Sequence, residues 1–347
     1  MTMLPNWQYL YGKPDITAVI RQTPADFIVD EQLNFSPSGS GEHLLLQIEK
    51  RGQNTQYIAR QLARLTGLRM RDISYAGLKD RHALTRQWFC FKWPIKQELA
   101  WQEWQIEDSR IVQVVRHFRK LRLGALKANH FQLTLTQVSQ PEALLARLAL
   151  IKAGVPNYYG EQRFGRQGGN LVLAKSLFAG ERIIDRTIRG LALSASRSFL
   201  FNTVLSARIA QGLFNQVLDG DILQLDGSGS IFPVEKADGA LQQRLMAGDV
   251  HPTAPLVGID GVQVSQQAAE LEAQALAPQQ LWCQGLVDYR LQGARRSIRL
   301  VPQQLNAEIN GNSVTLRFAL PAGCFATSVL RELASYRDGS RPLAEME

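Results

Sequence analysis

Two segments near opposite ends of the chain alternate apolar and polar residues, and this alternation constrains the fold more than any other feature. In "HFQLTLTQV" (130–138) every second residue from Phe131 to Leu135 is apolar. In "AEINGNSVTLRFAL" (307–320) two alternating stretches flank Asn310-Gly311, a dipeptide typical of two-residue β-hairpins. Because successive side chains of a strand face opposite sides of a sheet, both segments predict half-buried antiparallel strands.

The middle of the chain has a different character. The segment "VPNYYGEQRFGRQGGN" (155–170) combines glycines with aromatic residues and predicts an irregular loop at a domain boundary. After it, "SASRSFLFNTVLSARIAQGLF" (194–214) predicts a long helix, and 219–251 predicts a loop-heavy region because it is rich in Gly, Asp and Ser. Sheet-forming segments on both sides of this region predict an α/β (α+β) chain with an inserted domain.

Two further helices are indicated within the sheet-forming parts. In "NTQYIARQLARLTG" (54–67), Asn54 or Thr55 can cap the first turn and Gly67 can end the helix. Apolar residues at helical spacing predict a last helix over Phe325–Tyr336.

The charge balance is basic. The chain has 347 residues, with 39 Lys and Arg against 31 Asp and Glu, a net charge of +8. A polyanionic partner fits this excess, because cations that neutralise phosphates release counterions on binding. A protein with a basic surface and no nucleic acid partner fits the charge equally well. The aromatic residues around Arg163 fit base stacking as well as a hydrophobic core, and their spacing favours the core.

Several classes of protein are disfavoured. The sequence has no uninterrupted apolar run of about 18 residues, so no membrane span is predicted. The N-terminal residues predict no secretory signal, and three widely separated cysteines fit a reducing cytoplasm better than a disulfide framework. The five histidines lack metal-site spacings, and the phosphate-binding GxxxxGK[ST] loop and the GxSxG elbow are absent. No metal site is therefore predicted.

A polar tetrapeptide, Lys79-Asp80-Arg81-His82, interrupts two apolar segments ahead of the strand-like "TRQWFCFKW" (85–93). On local context alone it reads as a solvated turn. A carboxylate between cations can also serve in catalysis, because nearby positive charge favours the ionised form that a nucleophile needs. Both readings of Asp80 stay open at this level.

Longer blocks carry a family resemblance. The segments "YAGLKDRHALTRQWF" (75–89), "PNYYGEQRFGRQGGN" (156–170) and "SRSFLFN" (196–202) resemble the three signature blocks of the TruD family of tRNA pseudouridine synthases. The blocks "TPADFIVDE", "SGEHLLLQIEKRGQNT", "NHFQLTL" and "LPAGCFATSVLREL" agree with the same family, in order along almost the whole chain.

The resemblance implies isomerisation of uridine 13 of tRNA to pseudouridine, without metal or organic cofactor. The implied substrates are bacterial tRNAs with uridine at this position, tRNA-Glu among them. No obligate protein partner and a cytoplasmic location are expected. The implied fold is a catalytic domain with a mixed, largely antiparallel sheet, from 1–154 together with 302–347, and an inserted family-specific domain over 155–301.

The resemblance also implies residue roles. It makes Asp80 the catalytic residue that initiates cleavage, either as a nucleophile or as a base. Phe131 is expected to stack on the target base. The other residues expected to contact or orient substrate at the site are Phe27, which lines the pocket, Asn129, a hydrogen-bonding partner, Phe325, the C-terminal aromatic residue, and the candidate cations Arg21 and Lys79.

Two alternatives to a tRNA isomerase are weighed. One is an RNA-binding protein without turnover, and the other is a carboxylate-dependent N-glycosidase that acts on a related bond.

Overall fold

The computed structural model describes residues 4–340. They form two compact units, each assembled from separate segments. The sheet unit comprises Pro14–Leu148, Pro302–Gly323 and the segment that begins at Leu333. The helical unit comprises Ala149–Val301, Cys324–Glu332 and the segment that ends at Lys13. The domain boundaries expected from the sequence stay a prediction.

The strands are short in the helical unit and mostly longer in the sheet unit. In chain order they are β1 (Thr17–Ile20), β2 (Phe27–Leu33), β3 (His43–Arg51), β4 (Ser74–Tyr75), β5 (Leu84–Lys92), β6 (Ser109–His117), β7 (Leu126–Leu135), β8 (Val155–Pro156), β9 (Ile222–Leu225), β10 (Ile231–Pro233), β11 (Val250–Leu256), β12 (Ala294–Ser297), β13 (Arg299–Leu300), β14 (Gln303–Asn310), β15 (Ser313–Pro321) and β16 (Ser335–Asp338).

The α-helices concentrate in the middle of the chain. In chain order they are α1 (Thr55–Thr66), α2 (Pro141–Ile151), α3 (Gly169–Phe178), α4 (Arg186–Ala210), α5 (Gly239–Ala247), α6 (Gln266–Leu276), α7 (Gln280–Asp288) and α8 (Ala326–Leu333).

The sheet unit is built on a mixed sheet of eight strands. Their order is β14-β15-β7-β2-β5-β3-β6, and β4 pairs with β5. The β2–β5 pair is parallel, and the other pairs in this sheet are antiparallel. The mixed, largely antiparallel sheet that the sequence predicts is confirmed. A separate parallel pair joins β1 to β16.

The predicted hairpin at Asn310-Gly311 forms between β14 and β15, with a shift of one residue. Asn310 pairs with Ser313, so the two-residue loop is Gly311-Asn312. Gly311 has φ +57°, a left-handed conformation that costs glycine little because it has no Cβ.

Helix α1 covers one face of the sheet at β3 and β5. Asn54 accepts a hydrogen bond from the backbone N–H of Tyr57 at 2.7 Å, and Gly67 ends the helix with φ +70°, as the sequence predicts. The fully buried Ile58 and Leu62 pack into one cluster with residues of β3 and β5. Removing two such side chains from water contributes on the order of 3–6 kcal/mol, which anchors α1 on the sheet.

The helical unit is built around α4, which has 25 residues. It begins at Arg186, earlier than its apolar pattern alone indicates, because the Asp185 side chain caps the N–H groups of Thr187 and Ile188. The fully buried Phe201 and Leu205 of α4 pack into a core with α6 and β11. A four-stranded sheet with the order β10-β9-β11-β12 completes this unit.

Two predictions about local structure are wrong. The region 219–251 is not loop-heavy, since β9, β10 and α5 lie within it. The last helix ends at Leu333 rather than Tyr336, because Ser335–Asp338 pairs with Thr17–Ile20 as β16. At the C-terminal strand, pairing with the distant β1 overrides the local helical pattern, whereas in 219–251 a local pair of short strands and a helix capped by Asp238 form despite the many Gly, Asp and Ser residues.

Within residues 4–340, none of the helices is long and apolar enough to cross a membrane.

Candidate active site

Asp80 lies on the loop between β4 and β5, which is hydrogen-bonded to Gln87 and Thr55, two residues that are also hydrogen-bonded to each other. The Gln87 side chain donates to the backbone oxygen of Gly77 at 2.7 Å. The Thr55 hydroxyl donates to Oε1 of Gln87 at 2.9 Å and accepts from the backbone N–H of Lys79 at 3.0 Å. The start of α1 and the strand after the loop therefore set the backbone on which Asp80 is carried.

Lys50, at the end of β3, lies beneath the same loop and is fully buried. Its Nζ donates to the backbone oxygens of Gln53 at 2.6 Å and of Asp80 at 3.4 Å. Burial, and to a smaller extent the neighbouring Lys79, lower the pKa of Lys50 to about 8, against the opposite effect of Asp80 and Glu31. A buried ammonium with few partners is costly, so this contact serves the position of the loop more than its stability.

The Asp80 carboxylate forms a salt bridge with Arg21. Nη2 of Arg21 lies 2.9 Å from Oδ2 of Asp80, and Nη1 lies 3.1 Å from Oδ2 of Asp338 in β16. The Arg21 side chain is only 4% exposed, whereas that of Asp80 is 39% exposed. No described residue donates to Oδ1 of Asp80, so one carboxylate oxygen is held and the other is open.

Arg21 has φ +53°, an unusual conformation for a residue with a side chain. It follows β1 directly, and its guanidinium links Asp80 to Asp338 of β16, the partner strand of β1. Hydrogen bonds from Ser340 and the charge of Arg21 outweigh the effect of burial and lower the pKa of Asp338. The C-terminal strand thus supplies the second carboxylate that holds Arg21.

Aromatic residues form a wall beside this ion pair. The guanidinium carbon of Arg21 lies 3.9 Å from the centroid of the Phe27 ring. Phe27 meets Phe131 edge to face at 6.3 Å, and Phe131 stacks on Phe318 at 5.3 Å with 22° between the planes. Strand register places Phe27 and Phe131 on the face of the sheet that α1 covers further along.

Lys79 does not pair with Asp80. Its Nζ lies 2.5 Å from Oε1 of Glu31. The other oxygen of Glu31, Oε2, accepts a hydrogen bond from the backbone N–H of Trp88 at 2.9 Å. Burial raises the pKa of Glu31, and the charge and hydrogen bond of Lys79 oppose that rise. Of the two candidate cations, Arg21 is the one that reaches the Asp80 carboxylate.

Asn129 lies opposite Glu31 in the β2–β7 pair. Its Oδ1 is buried and has no hydrogen-bond partner among residues 4–340. A buried amide oxygen without a donor costs free energy, so Asn129 is a polar side chain held in this position without a compensating hydrogen bond to Oδ1.

Phe325 belongs to the helical unit, where it precedes α8. Its ring lies 5.7 Å from that of Tyr159, and the guanidinium of Arg163 lies 5.8 Å from the Phe325 centroid. Arg296 lies 4.4 Å from the Tyr159 ring, and Asn202 fixes the backbone of Tyr159 with two hydrogen bonds of 2.9 Å. This arrangement of aromatic rings and guanidinium groups suits stacking against a planar ligand.

In the sheet unit the expected residues fall into two groups. Asp80, Arg21, Phe27 and Phe131 follow one another through direct contacts, and Lys79 and Asn129 flank Glu31. Sequence reasoning missed Glu31, Lys50 and Asp338. A charged residue at a core-facing strand position was the available signal for Glu31 and Lys50, whereas no local signal marks Asp338.

The arrangement offers an oriented, partly exposed carboxylate beside a wall of aromatic rings. Such a site can attack, or take a proton from, a planar ligand or the group attached to it. In the part of the chain that the structure describes, no three His, Cys, Asp or Glu side chains lie together in a set that could hold a metal ion.

The chain is similar to proteins of one family along most of its length. The family model described as tRNA pseudouridine synthase D (TruD) matches residues 6–182 and 176–333. A protein named tRNA pseudouridine synthase D from Aeromonas hydrophila subsp. hydrophila is 48% identical over 332 residues, which cover 95% of this chain and 94% of that protein. One of the same name from Pectobacterium atrosepticum is 47% identical over 331 residues, with 94% of each chain covered.

The fold also matches a solved structure. A crystal structure of a Methanosarcina mazei protein assigned to tRNA pseudouridine synthase D (TruD) superposes with a TM-score of 0.73. The match covers 96% of this chain and 97% of that one, at 22% sequence identity. At this identity the likeness concerns the fold alone.

Proposed function

Because the chain belongs to the TruD family of tRNA pseudouridine synthases, we propose that it isomerises uridine 13 of tRNA to pseudouridine and that Asp80 initiates the reaction. The observation that carries this proposal is the Asp80 carboxylate, which Arg21 holds at 2.9 Å through one oxygen while the other stays open. A reactive carboxylate needs this combination of fixed orientation and access.

The proposed reaction is an isomerisation without change of mass. The bond between C1′ of the ribose and N1 of uracil breaks, the freed base turns within the site, and C1′ forms a new bond to C5. The proton on C5 is lost and N1 gains a proton, so atoms and charge balance. Asp80 acts at the first step, either as a nucleophile or as a base, and the geometry leaves both open.

The neighbouring residues have separate tasks in this proposal. Arg21 orients Asp80 and balances its charge. The ring of Phe131 lies against one face of the uracil, which holds the plane of the base but leaves rotation about its normal free. Asn129 offers its unpartnered Oδ1 to an N–H of the base, and Phe27 closes the wall beside Arg21. Phe325 is proposed as a further aromatic contact with the substrate.

The partner is proposed to be a bacterial tRNA with uridine at position 13, tRNA-Glu among the candidates, and the site of action to be the cytoplasm. The basic charge of the chain supports an RNA partner, because phosphate contacts supply much of the affinity for nucleic acids. No cofactor and no obligate protein partner enter the proposed reaction.

An unmodified tRNA transcript incubated with the protein alone tests the proposal. Conversion of uridine 13 to pseudouridine without change of mass, read by chemical labelling and sequencing, is the expected result. Binding without conversion would indicate an RNA-binding protein, and release of free uracil would indicate an N-glycosidase. A transcript with cytidine at position 13 is the matched control and should stay unmodified.

A further inference from the structure

An open pocket of about 900 Å³ lies in the sheet unit, at the end of the β3–β5 pair where His43 faces Lys92. Asp80 precedes the opposite end of β5. Because β5 has nine residues, its length puts roughly 26 Å between the two ends. The pocket is therefore separate from the candidate active site.

Part of the pocket lining is apolar. Leu68, Trp93 and Ile95 contribute to it, and Ile95 is 65% exposed. Trp93 meets Phe91 edge to face at 6.2 Å, and Phe91 belongs to the fully buried core beneath α1. The indole is thus anchored from below, which provides a rigid apolar wall.

The charged residues around this wall are mostly basic. Lys92 pairs with Glu42 at 2.7 Å, and Arg69 pairs with Asp72 at 2.9 Å. Lys96 and Lys120 also line the pocket, and no carboxylate of residues 4–340 lies within salt-bridge distance of either. Both are exposed. The pocket therefore carries two ammonium groups that are available to an anion.

The adjoining connection between β6 and β7 has the same composition. Arg119 and Arg122 are exposed, as are Phe118 at 57% and Leu123 at 76%. The guanidinium of Arg119 lies 5.2 Å from the centroid of the Phe118 ring. Exposed aromatic and aliphatic side chains interspersed with cations can bind nucleic acid, because bases stack on the apolar groups while the cations contact phosphates.

We propose that this pocket binds an unpaired nucleotide of the tRNA substrate at a distance from the target uridine. The base lies against Trp93 and Ile95, and Lys96 and Lys120 contact the phosphates on either side. This inference rests on the proposed function in that it takes tRNA as the substrate. Every base has an apolar face, so the site is expected to accept its nucleotide with little sequence preference.

The charge complementarity favours RNA over other occupants. An apolar ligand would leave Lys96 and Lys120 unused, and a small anion would not cover the exposed apolar wall. A nucleotide uses both features. A contact this far from Asp80 would contribute to tRNA binding without altering the geometry of the reacting groups.

The test uses the full chain with both lysines neutralised, Lys96→Gln with Lys120→Gln. Because both side chains are exposed, the fold should be retained. We expect the Kd for the tRNA transcript to rise about tenfold at low salt, and the slope of log Kd against log salt to fall by about 1.5. Turnover at saturating tRNA should equal that of the wild type, with KM raised.

The matched control is Lys152→Gln with Lys236→Gln, an equal change of charge at exposed lysines outside the pocket. Equal weakening of tRNA binding by this control would overturn the proposal, since the effect would then be one of overall charge. Unchanged affinity of the pocket variant would overturn it as well. Failure of the wild type to convert uridine in the same assay would instead remove the proposed function, so the two failures are distinguishable.

Ultraviolet cross-linking tests the contact with the base. The Asp80→Asn variant bound to tRNA is irradiated and digested with trypsin and ribonuclease. A nucleotide attached to the peptide Trp93–Lys96 is expected, and Trp93→Leu should abolish that adduct. Adducts elsewhere but none on this peptide would contradict docking of a base in the pocket.

Discussion

The cations assigned to the two proposed sites, at the two ends of the β3–β5 pair, differ in burial and pairing. At the end near Asp80, the side chains of Arg21, Lys50 and Lys79 are almost fully enclosed and bonded to oxygen atoms of the protein, although Arg81 beside them is exposed. At the other end Lys96 and Lys120 are exposed, and no described carboxylate lies within salt-bridge distance. Fixed charges orient a reacting group, whereas free surface charges gain from the release of counterions.

Because of this difference, the net charge alone does not show how many cations are available to bind phosphates. The value of +8 counts buried and exposed cations alike, although only the exposed ones are available to phosphates. Buried polar atoms without a described hydrogen-bond partner occur at both ends, at Arg21 and Asn129 near Asp80 and at His43 and Trp93 in the pocket, so they do not distinguish the two sites. The end near Asp80 holds its cations in ion pairs and hydrogen bonds, whereas the pocket end leaves Lys96 and Lys120 available to phosphates.

The largest effect is expected from Asp80→Asn. The amide is nearly isosteric but cannot act as a nucleophile or a base, so turnover should fall on the order of 10⁴-fold or more. Binding of tRNA should stay within a few-fold of the wild type. Single-turnover conversion of the transcript and filter binding measure the two quantities.

Asp338→Asn is the matched control, because it makes the same chemical change at the other carboxylate held by Arg21. It leaves the Arg21–Asp80 pair in place and should reduce turnover about tenfold or less. Comparable losses in the two variants would remove the catalytic role of Asp80 and leave only the integrity of the ion-pair network.

The second-largest effect is expected from Arg21→Lys. In Arg21→Lys the charge is kept, but one ammonium cannot reach Asp80 and Asp338 with the same geometry. We expect kcat to fall about 100-fold with little change in the affinity for tRNA. If kcat stays within about threefold of the wild type, the bridge that Arg21 forms between Asp80 and Asp338 has no part in orienting Asp80.

Sequence reasoning reached the parts of the site that lie in continuous blocks. Asp80, Phe27 and Phe131 were named because their segments resemble those of a known family, and the alternation around Phe131 placed it on a strand. The local pattern also gave the start and end of α1, since capping by Asn54 and Gly67 depends on a few neighbouring residues.

The remaining features depend on contacts between distant residues. Asp338 lies 317 residues after Arg21, and only the pairing of β1 with β16 brings them together. The sequence alone does not decide whether Arg21 or Lys79 is the partner of Asp80, because the answer depends on the salt bridge that Lys79 forms with Glu31. The helix predicted through Tyr336 was wrong for the same reason, since strand pairing decides the conformation of those residues.

A smaller effect is expected from Phe131→Leu, compared with Phe318→Leu. The two rings stack at 5.3 Å, so both changes remove similar packing and should cost about 1–2 kcal/mol of stability each. Only Phe131 is proposed to contact the uracil. Its replacement should lower kcat about tenfold and weaken tRNA binding less, because one stacking contact is small beside a wide phosphate footprint. Equal kcat values for the two variants would contradict the stacking role.

The smallest effect on kcat is expected from Lys50→Met, which also changes how the stability of the protein depends on pH. Burial lowers the pKa of Lys50 to about 8 from 10.5, so the unfolded chain binds more protons than the folded one between these values. The contribution of Lys50 to the free energy of unfolding should therefore rise by roughly 3 kcal/mol as the pH increases from 8 to 10.5. Lys50→Met lacks this contribution, so the stability of the variant relative to the wild type should decline over that range. Denaturant unfolding at several pH values measures the difference between the two proteins, from which titrations common to both cancel.

The methionine cannot donate to the backbone oxygen of Asp80, so kcat should fall about three- to tenfold even at pH 7, where the variant no longer buries an ammonium group. A relative stability that does not vary with pH would show that the buried ammonium is better solvated than its contacts indicate.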